Sequence, residues 1–289
     1  MRRYTAITLA TSAGLVAILC IIALSTQWLG LVGRWAQFYT WRFVSDKAHG
    51  GQYLRIDDTN IYFETFGAGP PVLVLHGGLG SMVGMGQQIM ALAKSHLVIA
   101  VDSRGHGQSS DGNAPLGYSL MSDDTIKILD HLKIDRVDVV GWSDGGVIGL
   151  DLAIRHPERI RKLVAISANY DADGLIGGIS TTGKIPHTPL SYRFLAPDPA
   201  HWPIFYRKVV TMWKTQPHYT LNDLGHITAP TLVIAGQNDV VKREHTHQLA
   251  RAIPGSHELI IDGATHMVPI EKPKALNSKI LSFLDEPTN

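Results

Sequence analysis

The chain has 289 residues, of which 45% are hydrophobic and 18% charged, so it has enough apolar material for a large core and is not a disordered chain. A formal net charge of +1 gives no basis for expecting a nucleic-acid partner, and the single cysteine excludes an intrachain disulfide. The histidines are scattered. The one close pair, His245 and His247, should point to different faces of a helix, so we predict solvated surface histidines and no metal site.

The chain begins with an apolar segment that follows two positive charges. Arg2 and Arg3 precede an uncharged run at residues 4–33. Its most apolar part, residues 6–24, contains about twenty residues, which as an α-helix would cross a hydrocarbon core of about 30 Å. The sequence therefore predicts a single-pass membrane anchor within residues 1–34.

Two alternatives remain open for this segment. The small residues Ala23 and Ser25 would suit cleavage of a signal peptide, although apolar character continues beyond them. The second alternative is a buried helix of the fold. Because a very short N-terminal tail usually stays in the cytoplasm, we predict a membrane protein with its large domain extracytoplasmic, or a secreted or periplasmic protein after cleavage.

An aromatic and basic connector is predicted at residues 35–51, where it could rest at a membrane interface. A hairpin follows, with strands at residues 52–57 and 60–66. Six short runs rich in Val, Leu and Ile come next, and without polar alternation they are typical of strands buried on both faces of a parallel sheet. These runs occupy residues 71–75, 97–101, 137–140, 163–166, 231–235 and 258–261.

Helical patterns separate these runs along the chain. They occupy residues 82–94, 119–132, 145–155, 244–252 and 274–284. Strands that alternate with helices predict right-handed crossovers. The predicted fold class is therefore α/β, with a mostly parallel eight-stranded sheet, helices on both faces, and a core formed by residues 52–170 and 225–289.

One stretch interrupts the alternation. Residues 171–229 contain several prolines and glycines and no strong strand run, and five aromatic residues lie between Trp202 and Tyr219. So much apolar material argues against a disordered insertion. We predict a helical lid at residues 171–224, over the carboxyl ends of the strands, where such sheets bind ligands.

The strongest local motif is Gly141-Trp142-Ser143-Asp144-Gly145-Gly146, which follows a predicted strand and precedes a predicted helix. This is the context of a G-x-S-x-G elbow. The turn is so tight that its flanking positions must lack side chains, and the serine hydroxyl is thereby exposed near a helix N-terminus that favours negative charge. We predict that Ser143 is a nucleophile.

A serine hydroxyl needs a base to activate it, and the base needs an acid to orient it. In this kind of fold the chain order is serine, acid, histidine. Asp239 follows the predicted strand at residues 231–235, and His266 follows the one at residues 258–261, so both could converge on Ser143. The alternatives are a turn-capping aspartate and a surface-loop histidine.

An oxyanion formed at the nucleophile would need two hydrogen-bond donors. One candidate is the backbone N–H of Asp144. The other lies in the loop His76-Gly77-Gly78-Leu79-Gly80, where glycines let the backbone approach closely, and we predict Gly78. His76 is predicted to brace this loop by hydrogen bonding.

The segments LHGGLGS, DSRGHGQSS, GWSDGG, GQND and GATH, in this order, resemble the α/β-hydrolase superfamily over residues 52–284. The resemblance implies that residues 102–109 form a structural turn near the site. GWSDGG is similar to the valacyclovir-hydrolase (biphenyl hydrolase-like) group, in which the aspartate after the nucleophile meets the ammonium of an amino-acid ester. By this resemblance Asp144, with Trp142 beside it, is a predicted substrate contact; the alternative is that Asp144 stabilises its own helix.

The leading hypothesis is a hydrolase without cofactor or metal that cleaves a carboxylic ester of a small molecule through an acyl-enzyme. An amidase, peptidase or lactonase with the same triad is a close alternative. Cofactor-free halide peroxidation and a catalytically silent, membrane-tethered binding protein are the others. The apolar lid and the predicted anchor would also permit a lipid-like substrate.

Overall fold

A computed structural model describes residues 33–177 and 184–287 of the chain. Within them, eight strands form one sheet in the order β1-β2-β4-β3-β5-β6-β7-β8. The strands are β1 (Ala48–Ile56), β2 (Thr59–Phe66), β3 (Pro71–Leu75), β4 (Leu97–Asp102), β5 (Val137–Trp142), β6 (Ile160–Ile166), β7 (Thr231–Asn238) and β8 (His257–Thr265). The β1–β2 and β2–β4 pairs are antiparallel and the other five are parallel, which confirms the predicted mostly parallel α/β sheet.

The helices of the described residues connect these strands or flank them. They are α1 (33–44), α2 (Gly86–Leu92), α3 (Tyr118–His131), α4 (Asp144–Arg155), α5 (Leu190–Leu195), α6 (Trp202–Thr215), α7 (Leu221–Gly225), α8 (Arg243–Ala252), α9 (Val268–Glu271) and α10 (Pro273–Asp285). The helix predicted at residues 82–94 is divided into a 3₁₀ turn, Met82–Met85, and α2.

The core lies on both faces of the sheet. Successive residues of β3 alternate between two apolar clusters: Leu73 and Leu75 join one, and Val72 and Val74 join the other. Helices α3 and α4 contribute to the first cluster, and α2 and α10 to the second. Strands buried on both faces carry no polar alternation, which is why the continuous apolar runs predicted this sheet.

Helix α1 occupies most of the predicted connector and packs on the second cluster. Phe38 is 1% exposed, and a Cβ on Gly86 would lie 2.7 Å from its ring. Arg42 donates to the buried carboxylate of Glu64 at 2.6 Å. Because removal of the guanidinium would leave a buried charge unpaired, this ion pair holds the helix to β2.

The predicted membrane anchor, residues 1–34, lies almost wholly outside the described residues. Among the helices that the structure describes, none combines the length and the hydropathy of a transmembrane span.

Between β6 and β7 the chain carries α5, α6 and α7, in the region predicted as a lid. Trp202 and Phe205 of α6 are fully buried, and Phe205 meets the ring of His106 edge-on with centroids 4.8 Å apart. The segment therefore packs through aromatic side chains on the loop after β4. The boundary predicted between residues 224 and 225 falls inside α7.

Candidate active site

Ser143 stands on a sharp turn between β5 and α4. Its backbone has φ 55° and ψ −121°, a left-handed conformation that is rare for a residue with a side chain. A Cβ on Gly141 would lie 2.1 Å from the carbonyl oxygen of Gly145, and one on Gly145 would lie 2.4 Å from that of Leu75. Both flanking positions therefore require glycine, and the turn presents the serine at the carboxyl edge of the sheet.

The structure brings together the three residues predicted as a triad. His266 Nε2 lies 2.9 Å from Ser143 Oγ, and His266 Nδ1 lies 2.7 Å from Asp239 Oδ1. An imidazole protonated at Nδ1 satisfies both contacts, since it donates to the carboxylate and accepts from the hydroxyl. The residues follow β5, β8 and β7, so parallel strands deliver them to one edge.

Asp239 is almost completely buried and accepts several hydrogen bonds. Besides His266, its oxygens accept from the hydroxyl of Ser167 at 2.6 Å and from the backbone N–H groups of Gly236 and Val241 at 3.2 and 3.1 Å. Burial raises the pKa of this carboxyl, but the hydrogen bond and charge of His266, together with the hydrogen bonds from Ser167 and Val241, outweigh it, and the pKa lies below its ordinary value. The acid is therefore held ionised beside the imidazole.

Sequence reasoning missed Ser167. It directly follows β6 with φ 52°, and its side chain is buried. A single serine after an apolar run does not by itself predict a site residue. The one indication was its position at the carboxyl end of a strand next to β7.

The loop after β3 passes directly beside Ser143. A Cβ on Gly77 would lie 3.2 Å from Ser143 Cβ, and one on Gly78 would lie 2.3 Å from Asp144 Oδ2. His76 braces this loop, as predicted: its Nδ1 lies 2.7 Å from the carbonyl oxygen of Gly77 and its Nε2 accepts from the Ser103 N–H at 3.1 Å. Burial lowers the pKa of His76 to about 4, so the ring is neutral.

Asp144 points away from solvent and into a polar cluster. It is 7% exposed; Oδ1 accepts from Tyr118 Oη at 3.0 Å, and Oδ2 accepts from Trp213 Nε1 at 2.8 Å. Burial raises the pKa of its carboxyl to about 6. Neither partner was predicted, although Trp213 was among the aromatic residues of the predicted lid.

A cavity of about 450 Å³ opens over Ser143, Asp144 and His266. Its other walls are mainly apolar and aromatic. They include Trp35, Trp142, Trp213, Val240, Met267 and Ile270. Trp142, a predicted substrate contact, also donates from Nε1 to the carbonyl oxygen of His266 at 2.8 Å and so holds the backbone of His266.

Residues 102–109 form the structural turn that the resemblance implied. The carboxylate of Asp102 accepts from the N–H groups of Met82 and Gln108 at 2.7 and 2.9 Å, and Ser109 Oγ donates to the Asp102 carbonyl at 2.5 Å. The turn thus ties the residues after β3 to β4. It contributes no residue to the cavity lining that the structure describes.

The predicted surface position of His245 is wrong. The ring is buried, stacks on Tyr170 with centroids 3.9 Å apart, and accepts from the Tyr170 N–H at 3.0 Å. It faces inward because its place on α8 lies over Gly174, where a Cβ would meet the ring at 2.5 Å. In the part of the chain that the structure describes, no cluster of three or more His, Cys, Asp or Glu side chains could hold a metal ion.

Comparison with known proteins agrees with this architecture. A family profile described as α/β-hydrolase fold matches residues 70–198, and one described as TAP-like protein matches residues 204–289. RutD of Rhizobium rhizogenes, a protein named as a carbamate hydrolase, is 30% identical over 259 residues, which cover 78% of this chain and 97% of the relative. The chain belongs to the α/β-hydrolase family. It is a hydrolase.

Solved structures share the fold of this α/β-hydrolase. Est816, described as an N-acyl homoserine lactone degrading enzyme, is 25% identical with a TM-score of 0.67, covering 80% of this chain and all of that one. A membrane phospholipase A has a TM-score of 0.68 and covers 99% of this chain and 98% of that one; at 19% identity it shows the fold alone. The narrower resemblance to the valacyclovir-hydrolase group stays a prediction.

Proposed function

We propose that this α/β-hydrolase cleaves a carboxylic ester through a covalent acyl-serine intermediate. The observation that carries the proposal is the hydrogen-bonded chain from Ser143 through His266 to Asp239, with contacts of 2.9 and 2.7 Å, at the wall of an apolar cavity. A strained nucleophile, a base within reach of it and a buried acid on the base are the parts that such catalysis needs.

In the first half-reaction Ser143 Oγ attacks the acyl carbon while His266 Nε2 takes the hydroxyl proton. Asp239 stabilises the imidazolium that forms and keeps its orientation. The backbone N–H groups of Gly78 and Asp144 are the proposed donors to the oxyanion. The tetrahedral intermediate collapses, the C–O bond breaks, and the alcohol leaves with the proton from Nε2.

In the second half-reaction water attacks the acyl-serine. His266 accepts a proton from the water and returns it to Ser143 Oγ as the acyl bond breaks, which regenerates the free enzyme and releases a carboxylic acid. Apart from the water, both halves use groups of this chain only. The same steps would cleave the acyl bond of a carbamate or a lactone, and the names of RutD and Est816 support these as second candidates.

Asp144 and Trp142 are the proposed substrate contacts. Asp144 lines the cavity, and at neutral pH its carboxylate is mostly ionised because its pKa is about 6. A cationic group on the substrate would find a charged partner there, although it would have to share the carboxylate with Trp213 and Tyr118. This supports a preference for esters that carry a cationic or α-amino group over neutral ones.

We also propose that residues 1–34 anchor the enzyme in a membrane with the catalytic domain extracytoplasmic. The uncharged run at residues 4–33 and the preceding Arg2 and Arg3 support this. Cleavage of a signal peptide, which would release the domain, is the alternative; the mass of the mature protein distinguishes them.

The deciding experiment is labelling with a fluorophosphonate probe. The full-length protein should be labelled, and Ser143→Ala should not. Ser122→Ala is the matched control, since Ser122 is buried and does not line the cavity, and it should keep its label. Folded protein without a label would favour the binding-protein alternative, and a label that survives Ser143→Ala would mean that another residue is the nucleophile.

A substrate panel separates the remaining reactions. We expect turnover of p-nitrophenyl esters without added peroxide or halide. Turnover of anilides or of an acyl homoserine lactone in preference to esters would favour the amidase or lactonase alternative.

A further inference from the structure

Helix α1 contributes directly to the candidate active site. Trp35, in its first described turn, lines the cavity together with Met267 and Ile270, the residues that follow His266. Arg34 donates to the carbonyl oxygen of Ile270, so the first described turn of α1 is tied to α9, which follows His266. The amino-terminal end of the described chain is therefore part of the cavity wall.

The uncharged run of the sequence ends where this wall begins. Residues 4–33 carry no charge, and Gly33 precedes Trp35 by two residues in the same helix. At about 1.5 Å per residue, the end of the run and Trp35 are about 3 Å apart along the helix axis. If the run lies in a bilayer, the cavity wall at Trp35 lies at the bilayer surface.

The cavity mouth is bordered by exposed apolar side chains. Val240 and Met267 line the cavity and are nevertheless 48% and 39% exposed. Ile176, whose N–H donates to the carbonyl oxygen of Val240, is 62% exposed. Phe194 is 81% exposed and lies one turn of α5 from Ser191, which lines the cavity. Single exposed apolar residues are common, but a group around one opening marks an interaction surface.

We propose that this rim, formed by Ile176, Phe194, Val240 and Met267, lies on a lipid bilayer, and that the ester cleaved is a long-chain acyl lipid that enters from it. The substrate part rests on the proposed ester hydrolysis. Asp144 is the one carboxylate among the described lining residues, and the walls near Trp35 are apolar, so an acyl chain can pass from bilayer to cavity without crossing water. Water and the lipid ester give a fatty acid and the lipid alcohol.

The position of the rim can be measured without catalysis. In full-length protein carrying Cys20→Ala, a nitrobenzoxadiazole probe is attached at Ile176→Cys, Phe194→Cys or Leu221→Cys. Leu221 is the matched control because it is 53% exposed and no residue within four positions of it lines the cavity, whereas Leu175 and Ser191, near Ile176 and Phe194, do. In phosphatidylcholine vesicles, probes at 176 and 194 should shift to the blue and be quenched by spin-labelled lipid, and the probe at 221 should do neither.

Equal quenching at all three positions, or none at 176 and 194, would overturn the proposal. A blue shift at 176 and 194 that grows with protein concentration in detergent without lipid would also overturn it, because it would show a second copy of the chain on the rim.

Turnover tests the substrate part. Ile176→Glu and Phe194→Glu should lower hydrolysis of phosphatidylcholine in vesicles by about tenfold, since a charge on the rim opposes contact with lipid. Hydrolysis of soluble p-nitrophenyl butyrate should stay within about twofold, and Leu221→Glu should change neither rate. An equal loss on both substrates, or a loss with Leu221→Glu, would contradict a lipid-facing rim. If the wild type does not hydrolyse p-nitrophenyl butyrate while the rim probes are still quenched, ester hydrolysis is rejected and the lipid-facing rim is retained.

Discussion

Ser167 Oγ donates a hydrogen bond of 2.6 Å to Asp239 Oδ2, from the end of the neighbouring strand and from a left-handed backbone conformation. The other oxygen of Asp239 faces His266 at 2.7 Å. Ser167 and His266 therefore each form a hydrogen bond with a different oxygen of the Asp239 carboxylate. Its backbone strain is one sign that the hydroxyl position matters.

Ser167→Ala should lower kcat by roughly tenfold to a hundredfold with little change in KM, because a hydrogen bond to a charged group contributes about 1.5–3 kcal/mol. The acid limb of the pH profile of kcat/KM should move to higher pH, since the carboxylate loses a donor that lowers its pKa. A purely structural role would not move this limb.

The control for Ser167 is Ser122→Ala. Ser122 is equally buried, and its hydroxyl has no hydrogen-bond partner in the described part of the chain. It should keep kcat and the pH profile. An unchanged acid limb in Ser167→Ala would show that Ser167 does not tune the Asp239 carboxylate during catalysis.

Gly78→Ala should disable the proposed oxyanion loop. The added Cβ would lie 2.3 Å from Asp144 Oδ2 and 2.5 Å from Trp213 Cζ2, so the loop must move. Loss of one oxyanion donor costs about 2.7–4 kcal/mol, and kcat should fall by about two to three orders of magnitude in steady-state ester hydrolysis. Gly84→Ala, whose Cβ would meet Trp142 at an ordinary 3.6 Å, should remain active. Equal activity of both variants would argue against Gly78 as a donor.

Asp144→Asn should stabilise the fold at neutral pH. Burial raises the pKa of Asp144 from 3.8 to about 6, so the folded state binds the proton more tightly than the unfolded state does. The contribution of Asp144 to stability is therefore full below about pH 4 and is lost as the pH rises through about 6, by roughly 3 kcal/mol in total. Asparagine does not titrate.

Unfolding should be measured for both proteins at pH 4.5 and 7.5. The variant should be the more stable at pH 7.5, and the difference should shrink at pH 4.5. Groups that do not interact with Asp144, such as Asp102, titrate alike in both proteins and cancel in the difference. A difference that is independent of pH would mean that the carboxyl of Asp144 titrates normally.

The same variant tests substrate charge. If Asp144 binds an ammonium, wild type should have a higher kcat/KM for alanine benzyl ester than for its N-acetyl form, and Asp144→Asn should abolish the preference. The two esters share an acyl carbon and a leaving group, so their ratio cancels effects on the oxyanion donors. If the variant leaves the kcat/KM ratio of the two esters unchanged, Asp144 binds Trp213 and Tyr118 and does not bind the ammonium.

The sequence by itself determined the sheet and the elbow, because both depend on local rules. Strands buried on two faces must be continuously apolar, as at Pro71–Leu75, and a turn as tight as that at Ser143 must be flanked by glycines. Chain order then placed Asp239 and His266 after later strands, and parallel strands end at one edge. These predictions needed no knowledge of which distant side chains touch.

Only the tertiary structure decided what surrounds those residues. Trp213 reaches Asp144 across 69 positions, Ser167 reaches Asp239 across 72, and Trp35 joins a cavity whose histidine follows the last strand. Such contacts depend on strand order and on how the helices between β6 and β7 pack. A single serine, tryptophan or tyrosine forms no local sequence pattern from which such a contact can be predicted. The physical reason is that a periodic pattern shows which face of an element is buried, whereas packing against a distant element decides what that face meets.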